Sequence, residues 1–230
     1  AKSTDFVDYK SVYSLKQEAF ELAFTKFLQL QNSSSRKKKF REFVKQGGEA
    51  LQNQAIFDAI FETLPEAKKT YDGFHNFPQD LQSPDNIAVQ TFAETNSKRV
   101  EFYLYLQWTA RTQLRAAQNR AVKAGMAIGL YLDFAVGVVP GGADACMYSN
   151  AFAKDISLGA PGDAANPDGQ VWNLLPFDPH ALKSNDFEPY RTALRQVMSS
   201  AGAVRIDHIL GHMRSFWLPK GEDGETLSGA

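Results

Sequence analysis

The stretch AVRIDHIL, residues 203–210, decides how the chain is read. Its alternation is that of a strand, so Arg205 and Asp207 share one face while Val204 and Ile206 share the other. Ahead of it, DFEPYRTALRQVMSSAG (186–202) has helical spacing, with Phe187, Tyr190, Leu194, Val197 and Met198 on one side and Gly202 as the cap. Further back, MAIGLYLDFAVGVV (126–139) is almost continuously apolar and bounded by glycines, which predicts a parallel strand buried on both faces. Strand, loop, helix, strand is a βαβ unit, so the fold class is α/β with a parallel sheet.

Working outward, the first hundred residues read as helices. From Asp5 to Gln31 the apolar positions Val12, Leu15, Ala19, Leu22, Ala23 and Leu30 recur at helical spacing. Ser34 or Ser35 can cap the next helix, whose basic run Arg36–Lys39 reads as a solvated face and not a nucleic-acid patch. GGEALQNQAIFDAIFETL (47–64) carries Leu51, Ile56, Ile60 and Leu64 on one stripe; 70–82 is irregular; Ser83 is expected to cap a helix with Pro84 in its first turn. The segment from Ser97 onward is a long helix closed by Gly125. The character changes near residue 97, which predicts a helical subdomain over 1–97 and a barrel-type segment over 98–230.

Composition bounds the function. With 230 residues and a formal net charge of -1, bulk charge predicts neither nucleic-acid nor membrane binding. The one cysteine, Cys146, allows no intrachain disulfide, and the longest apolar run is broken by Asp133. The opening AKSTDF lacks the apolar centre of a signal peptide, so a cytoplasmic location is expected.

The candidate site lies at strand ends. Asp207 and His208 sit where a parallel strand gives way to a loop, the position of catalytic groups in parallel barrels. Arg205 should favour the ionised form of Asp207, leaving a carboxylate fit to act as nucleophile or electrostatic stabiliser. The plainer alternative is an Arg–Asp pair that bridges strands. Asp133 ends the other strand and needs a partner or a polar cavity if buried. His208 and His212 stand four apart, but no glutamate follows His208 as in the zinc-binding helix motif, so no metal is expected. In the loop LGAPGDAANPDGQVWNLLPFDP (158–179), Asp163, Gln170 and Trp172 combine carboxylate, amide and indole as carbohydrate sites do. Trp172 could equally pin the loop to the core.

FYLYLQW, GLYLDFAVGV, GAPGD, NPDGQVWNLLPFDP and GAVRIDHILG stand in the order and at the spacings of a known family. The chain resembles the 4-alpha-glucanotransferases (amylomaltases, or disproportionating enzymes) of glycoside hydrolase family 77, most specifically from Val100 to Trp217. The resemblance implies part of a TIM (β/α)8 barrel with a large helical insertion. It implies a retaining double displacement that moves segments of maltodextrin or starch-derived alpha-1,4-glucan, without a cofactor. By motif, Asp207 is the nucleophile and Arg205 its orienter, while His208, Asp163, Gln170, Trp172 and Asp133 are substrate contacts. The family's acid/base, a glutamate on a later strand, has no match here. Glu222 and Glu225 lie in a polar segment without strand character. The chain is thus expected to be an inactive internal piece of a longer enzyme, whose open sheet edges could pair two copies. An amylase-type hydrolase and a noncatalytic glucan-binding module are the competing readings. Gly162 and Cys146 depart from the family's usual proline and tryptophan, which bears on local loop geometry.

Overall fold

The structure is a computed structural model and describes residues 6–221; Glu222 and Glu225 lie outside them. Its first half is helical. Helix α1 (Tyr9–Leu28) starts at Asp8, whose carboxylate accepts from Ser11 N, and α2 (Ser35–Thr63) starts at Ser34, whose hydroxyl accepts from Lys37 N. A kink at Gly48, φ 56°, divides α2 where the glycine pair suggested a new helix. Short 3-10 turns at Glu66–Lys68, Gly73–Asn76 and Gln79–Leu81 fill the irregular stretch. Next come α3 (Ile87–Thr95) and α4 (Ser97–Lys123), the latter closed by Gly125 at φ +96°.

Several expectations are corrected. Asn86, not Ser83, caps α3, because its side chain accepts from Ala88 N at 3.0 Å while Ser83 is spent in the preceding turn. The proposed stripe on α1 is largely exposed, with Leu15 58% and Leu22 69% accessible. Phe24 and Phe27 are buried instead, because only the C-terminal half of α1 reaches the core and large rings bury the most area there. That core joins them to Phe40, Phe102, Tyr105 and Trp108; Phe24 meets Phe102 edge to face at 5.4 Å and Phe27 lies 5.7 Å from Trp108. Arg99 fastens it by pairing with both Glu21 and Glu62 across three helices, its guanidinium 4.0 Å from the Phe102 ring centre. A second cluster, Ile60, Leu64, Phe77 and Val89, lies beneath α3. The basic run is a solvated face as expected, with Arg36, Lys38 and Lys39 exposed, and within it Arg36 lies over Trp108 at 5.2 Å and Lys37 over Phe27 at 5.1 Å. No helix among the described residues is long and apolar enough to cross a membrane.

The second half holds two small sheets. Strands β1 (Tyr131–Phe134) and β4 (Ala203–Ile206) pair in parallel, with Asp133 opposite Arg205. The long both-faces-buried strand expected over 126–139 is not formed. Only four residues pair, Tyr131 is 65% exposed, and positive φ at Gly129 and Gly137 turns the chain away on either side. The loop that follows contains α5 (Ala143–Met147), β2 (Ile156–Ala160), β3 (Gln170–Val171) and α6 (Pro179–Ser184). With β5 (Phe216–Pro219) these strands form an antiparallel sheet in the order β3-β2-β5. Helix α7 (Glu188–Met198) returns the chain to β4; of its expected apolar side Tyr190, Leu194 and Val197 are half-buried, while Phe187 and Met198 are exposed. Gly202 is not its cap. It is where the chain crosses residues 128–130 so closely that a Cβ would sit 1.7 Å from the Ile128 carbonyl oxygen.

Candidate functional site

Parallel pairing of β1 and β4 sets the site's geometry. Because Asp133 and Arg205 are opposite each other in register, Arg205 reaches sideways to one carboxylate and forward to another. Its Nη1 donates to Asp133 Oδ1 at 3.0 Å and its Nη2 to Asp207 Oδ1 at 2.7 Å. The pairing runs one residue past β4, where Asp207 N donates to the Phe134 carbonyl at 3.1 Å. Asp207 Oδ1 also accepts from His208 N at 3.1 Å. Its other oxygen, Oδ2, has no hydrogen-bond partner among the described residues. One oxygen of Asp207 is therefore anchored twice and the other is open.

The hydrogen bond to Asp133 and the charges of Asp207 and Asp133 raise Arg205 above its ordinary value, so it stays a fixed cation. All three side chains are well exposed, at 52% for Arg205, 63% for Asp133 and 44% for Asp207. Ion pairs so exposed add little to stability. Asp133 is thus neither buried nor unpaired, and the strand-bridging pair is present as geometry while stability gives little reason for it.

His208 leaves the strand in the left-handed region, at φ 47° and ψ 54°. A non-glycine residue there is uncommon and marks a locally determined turn. The turn aims its imidazole at Trp172, ring centres 5.2 Å apart and nearly perpendicular at 87°. Trp172 Nε1 donates to Gln170 Oε1 at 3.1 Å, and Trp172 N donates to the Leu158 carbonyl at 2.9 Å, so β2 and β3 hold the indole in place. Asp133, Arg205, Asp207, His208, Trp172 and Gln170 thus form one continuous chain of contacts. Asp163 stands apart. Its Oδ1 caps its own loop by accepting from Ala165 N at 2.8 Å and Asn166 N at 2.7 Å, and these bonds hold its carboxyl below the usual range. Gly162, beside it, packs so tightly that a Cβ would lie 2.2 Å from the Pro167 carbonyl oxygen. A glycine thus permits this tight loop.

Sequence reading missed Tyr190. Its ring lies 5.3 Å from Phe134 at the end of β1, 6.0 Å from Phe177 beyond β3, and 5.5 Å from His212. Its hydroxyl bonds His212 Nε2, whose Nδ1 faces the Ile209 carbonyl. With Nδ1 donating to that carbonyl, the neutral form of the ring leaves Nε2 to accept from the tyrosine. Tyr190 therefore joins the three segments that carry Asp133, Trp172 and His208. The available signal, its place on the apolar side of α7, read only as packing. His212 is engaged by this bond, while His208 lies against Trp172. Cys146 donates to the Gln82 carbonyl at 3.5 Å, and burial pushes its thiol up to about 11, which makes it a structural side chain.

The geometry defines a strand-end carboxylate site flanked by an imidazole and an indole. The chain belongs to the 4-alpha-glucanotransferase family, whose family model matches residues 1–228. It is 35% identical over 221 residues to the 4-alpha-glucanotransferase of Mycobacterium tuberculosis, covering 96% of this chain and 29% of that protein. It is 33% identical over 226 residues to that of Haemophilus influenzae, covering 96% and 32%. Among solved structures, amylomaltase from Corynebacterium glutamicum superposes with a TM-score of 0.72 at 35% identity, over 94% of this chain and 27% of that one. Amylomaltase from Streptococcus agalactiae, solved with acarbose, shares the fold at a TM-score of 0.81 and 18% identity, over 96% and 43%. The chain thus spans about a third or less of the curated relatives described here.

Proposed function

We propose that this chain carries the nucleophile half of a 4-alpha-glucanotransferase active site, acting on alpha-1,4-glucans by a retaining double displacement. The open Oδ2 of Asp207 attacks the anomeric carbon of a bound glucosyl unit. The glycosidic carbon–oxygen bond breaks, and the departing oxygen takes a proton from an acid/base carboxyl that we assign to a part of the enzyme outside these residues. A hydroxyl of a second glucan then displaces Asp207 and returns the proton to that carboxyl. Arg205 keeps Asp207 in one rotamer and compensates its charge. His208 and Trp172 hold the transferred sugar, one by hydrogen bonding and the other with its indole face. Asp133 and Gln170 act as further substrate contacts, and Asp163 does so through the loop it caps. In the same proposal residues 98–230 are a segment of a (β/α)8 barrel and residues 1–97 a helical insertion. The isolated chain transfers nothing, and its open β1 and β4 edges pair with further barrel strands or with a second copy.

The observation that carries the reading is the asymmetry of Asp207, with Oδ1 held by Arg205 and the His208 amide and Oδ2 left open. The test is product analysis after incubating maltotriose with the intact protein, meaning the longer enzyme in which this proposal places the chain. A ladder of longer maltodextrins is expected, and Asp207→Asn should slow it by about 10³-fold or more with folding intact. Only glucose and maltose would mean hydrolysis, and no product would mean a binding module. A ladder undiminished in Asp207→Asn would remove Asp207 from the mechanism.

A further inference from the structure

Helix α4 carries two side chains, Arg111 and Gln118, that lie seven residues apart and so about two turns along one face. Gln118 Nε2 donates to the Ile128 carbonyl at 2.9 Å, and its Oε1 accepts from Leu130 N. Arg111 donates from Nη1 to Ser199 Oγ at 2.9 Å and from Nη2 to Gln196 Oε1. One side chain reaches the entry to β1, the other the end of α7 where the chain turns toward β4. Helix α4 therefore holds the approach to both strands of the parallel pair, while Asp133 and Asp207 lie toward their far ends.

The grip on β1 is a close-fitting junction. A side-chain amide offers a donor and an acceptor. Here they meet the carbonyl before Gly129 and the N–H after it, as a neighbouring strand would. Gly129, at φ +80°, makes room: a Cβ there would lie 2.4 Å from Gln118 Oε1. Gly202 closes on the same point, where a Cβ would lie 1.7 Å from the Ile128 carbonyl oxygen and 2.9 Å from Gln118 Nε2. The Leu130 carbonyl then accepts from Gly202 N at 3.0 Å and from Ala203 N at 3.3 Å. The ladder starts at the next residue, with Tyr131 opposite Ala203 and Asp133 opposite Arg205.

Register is what the site needs from this pair. Successive strand residues face opposite ways, so a slip of one residue would take Asp133 off the face of Arg205. The guanidinium would then lose one of the two carboxylates that hold it. A four-residue pair whose Asp133 and Arg205 are exposed has little packing of its own to fix that register. The junction at Gln118 supplies the fixed point.

We propose that Gln118 is a positioning residue for the transfer reaction. It fixes β1 in register with β4 and so sets, through Arg205, the direction of Asp207, without touching the glucan itself. The proposal rests on the glucanotransferase reading. Arg111 steadies the other side of the same pair by holding the end of α7.

The test is a double-mutant cycle in the intact enzyme, with rates expressed per active site as counted by covalent labelling with a slowly released glucosyl donor, so that unfolded molecules drop out. Gln118→Met keeps the length of the side chain and removes both bonds. Alone it should lower kcat for maltotriose disproportionation by about tenfold and leave KM within about twofold. Gln118 and Arg205 share no hydrogen-bond partner among the described residues, so independent effects would add. In an Arg205→Gln background, where Asp207 is already released, Gln118→Met should instead cost less than about twofold. Gln118→Ala, small enough to let water reach both backbone groups, should give the same pattern and serves if methionine does not fit. A lower melting temperature with kcat per active site unchanged, or an equal loss of rate in both backgrounds, overturns the positioning role and leaves the catalytic reading standing. An unaltered enzyme that makes no longer maltodextrins overturns the glucanotransferase reading and this role with it.

Discussion

Asp207 illustrates how two bonds can give a carboxylate direction. With Oδ1 tied to Arg205 and to the His208 amide, the carboxyl plane is set and Oδ2 faces outward. Arg205→Gln removes the forward donor and the bridge to Asp133, so Asp207 gains rotameric freedom. Transfer should slow by about 10²-fold, the usual effect of misplacing a reacting group, while the melting temperature stays near that of the unaltered protein because the pair is exposed. A large loss of stability with little loss of rate would show that the pair is a structural strap. Trp172 separates its two readings in the same way. The ring is half-buried and held by Gln170 and His208. Trp172→Ala should therefore raise KM for maltodextrins by about tenfold, with a stability change well below the roughly 3–5 kcal/mol of a fully buried aromatic. A drop in melting temperature without a change in KM would favour the packing role.

At the scale of elements, what could be read in advance was what alternation and helical periodicity encode. Strand alternation in 203–210 put Arg205 and Asp207 on one face, and their shared contacts follow from that; Ser34 starts a helix and Gly125 closes one as their chemistry requires. What escaped reading depends on partners distant in sequence. The β3-β2-β5 sheet pairs Leu158 with Trp217 across the whole α6–α7–β4 segment, and nothing local in a glycine- and proline-rich stretch announces that pairing. Gly202 resembled a cap and is a crossing point, because the Ile128 carbonyl that occupies its missing Cβ position comes from another strand's approach. Tyr190 joins three segments for the same reason. Helix α2 holds a testable feature of its own. Burial pushes the Asp58 carboxyl from 3.8 up to about 6, against a hydrogen bond from Gln54 at 3.2 Å that lowers it. A carboxylate raised on folding favours the native state most below its unfolded value, and this contribution is lost as pH rises through the folded value. Asp58→Asn should therefore stabilise the protein by roughly 1–2 kcal/mol at about pH 8 and hardly at all at about pH 4. Denaturant titrations at the two pH values check this, and an equal gain at both would place the cause outside the titration.

For the molecule as a whole, a helical body and two small sheets meet where the proposed chemistry lies. The aromatic core of α1, α2 and α4 gives mechanical support, and α4 leads through Gly125 into β1. The parallel pair β1–β4 then brings Asp133 and Asp207 to one end, within reach of one guanidinium. The antiparallel sheet presents Trp172 from the other side. On this account the fold exists to hold one carboxylate oxygen open beside an indole and an imidazole. The most direct test reacts the intact protein with a fluorinated glucosyl donor that forms the covalent intermediate readily but releases it slowly, then digests it and sequences the labelled peptide by mass spectrometry. The account predicts one glycosyl ester, on Asp207, formed at the rate of inactivation and absent from Asp207→Asn. A label on Asp133 or any other carboxylate, or full turnover with no ester formed, would contradict it.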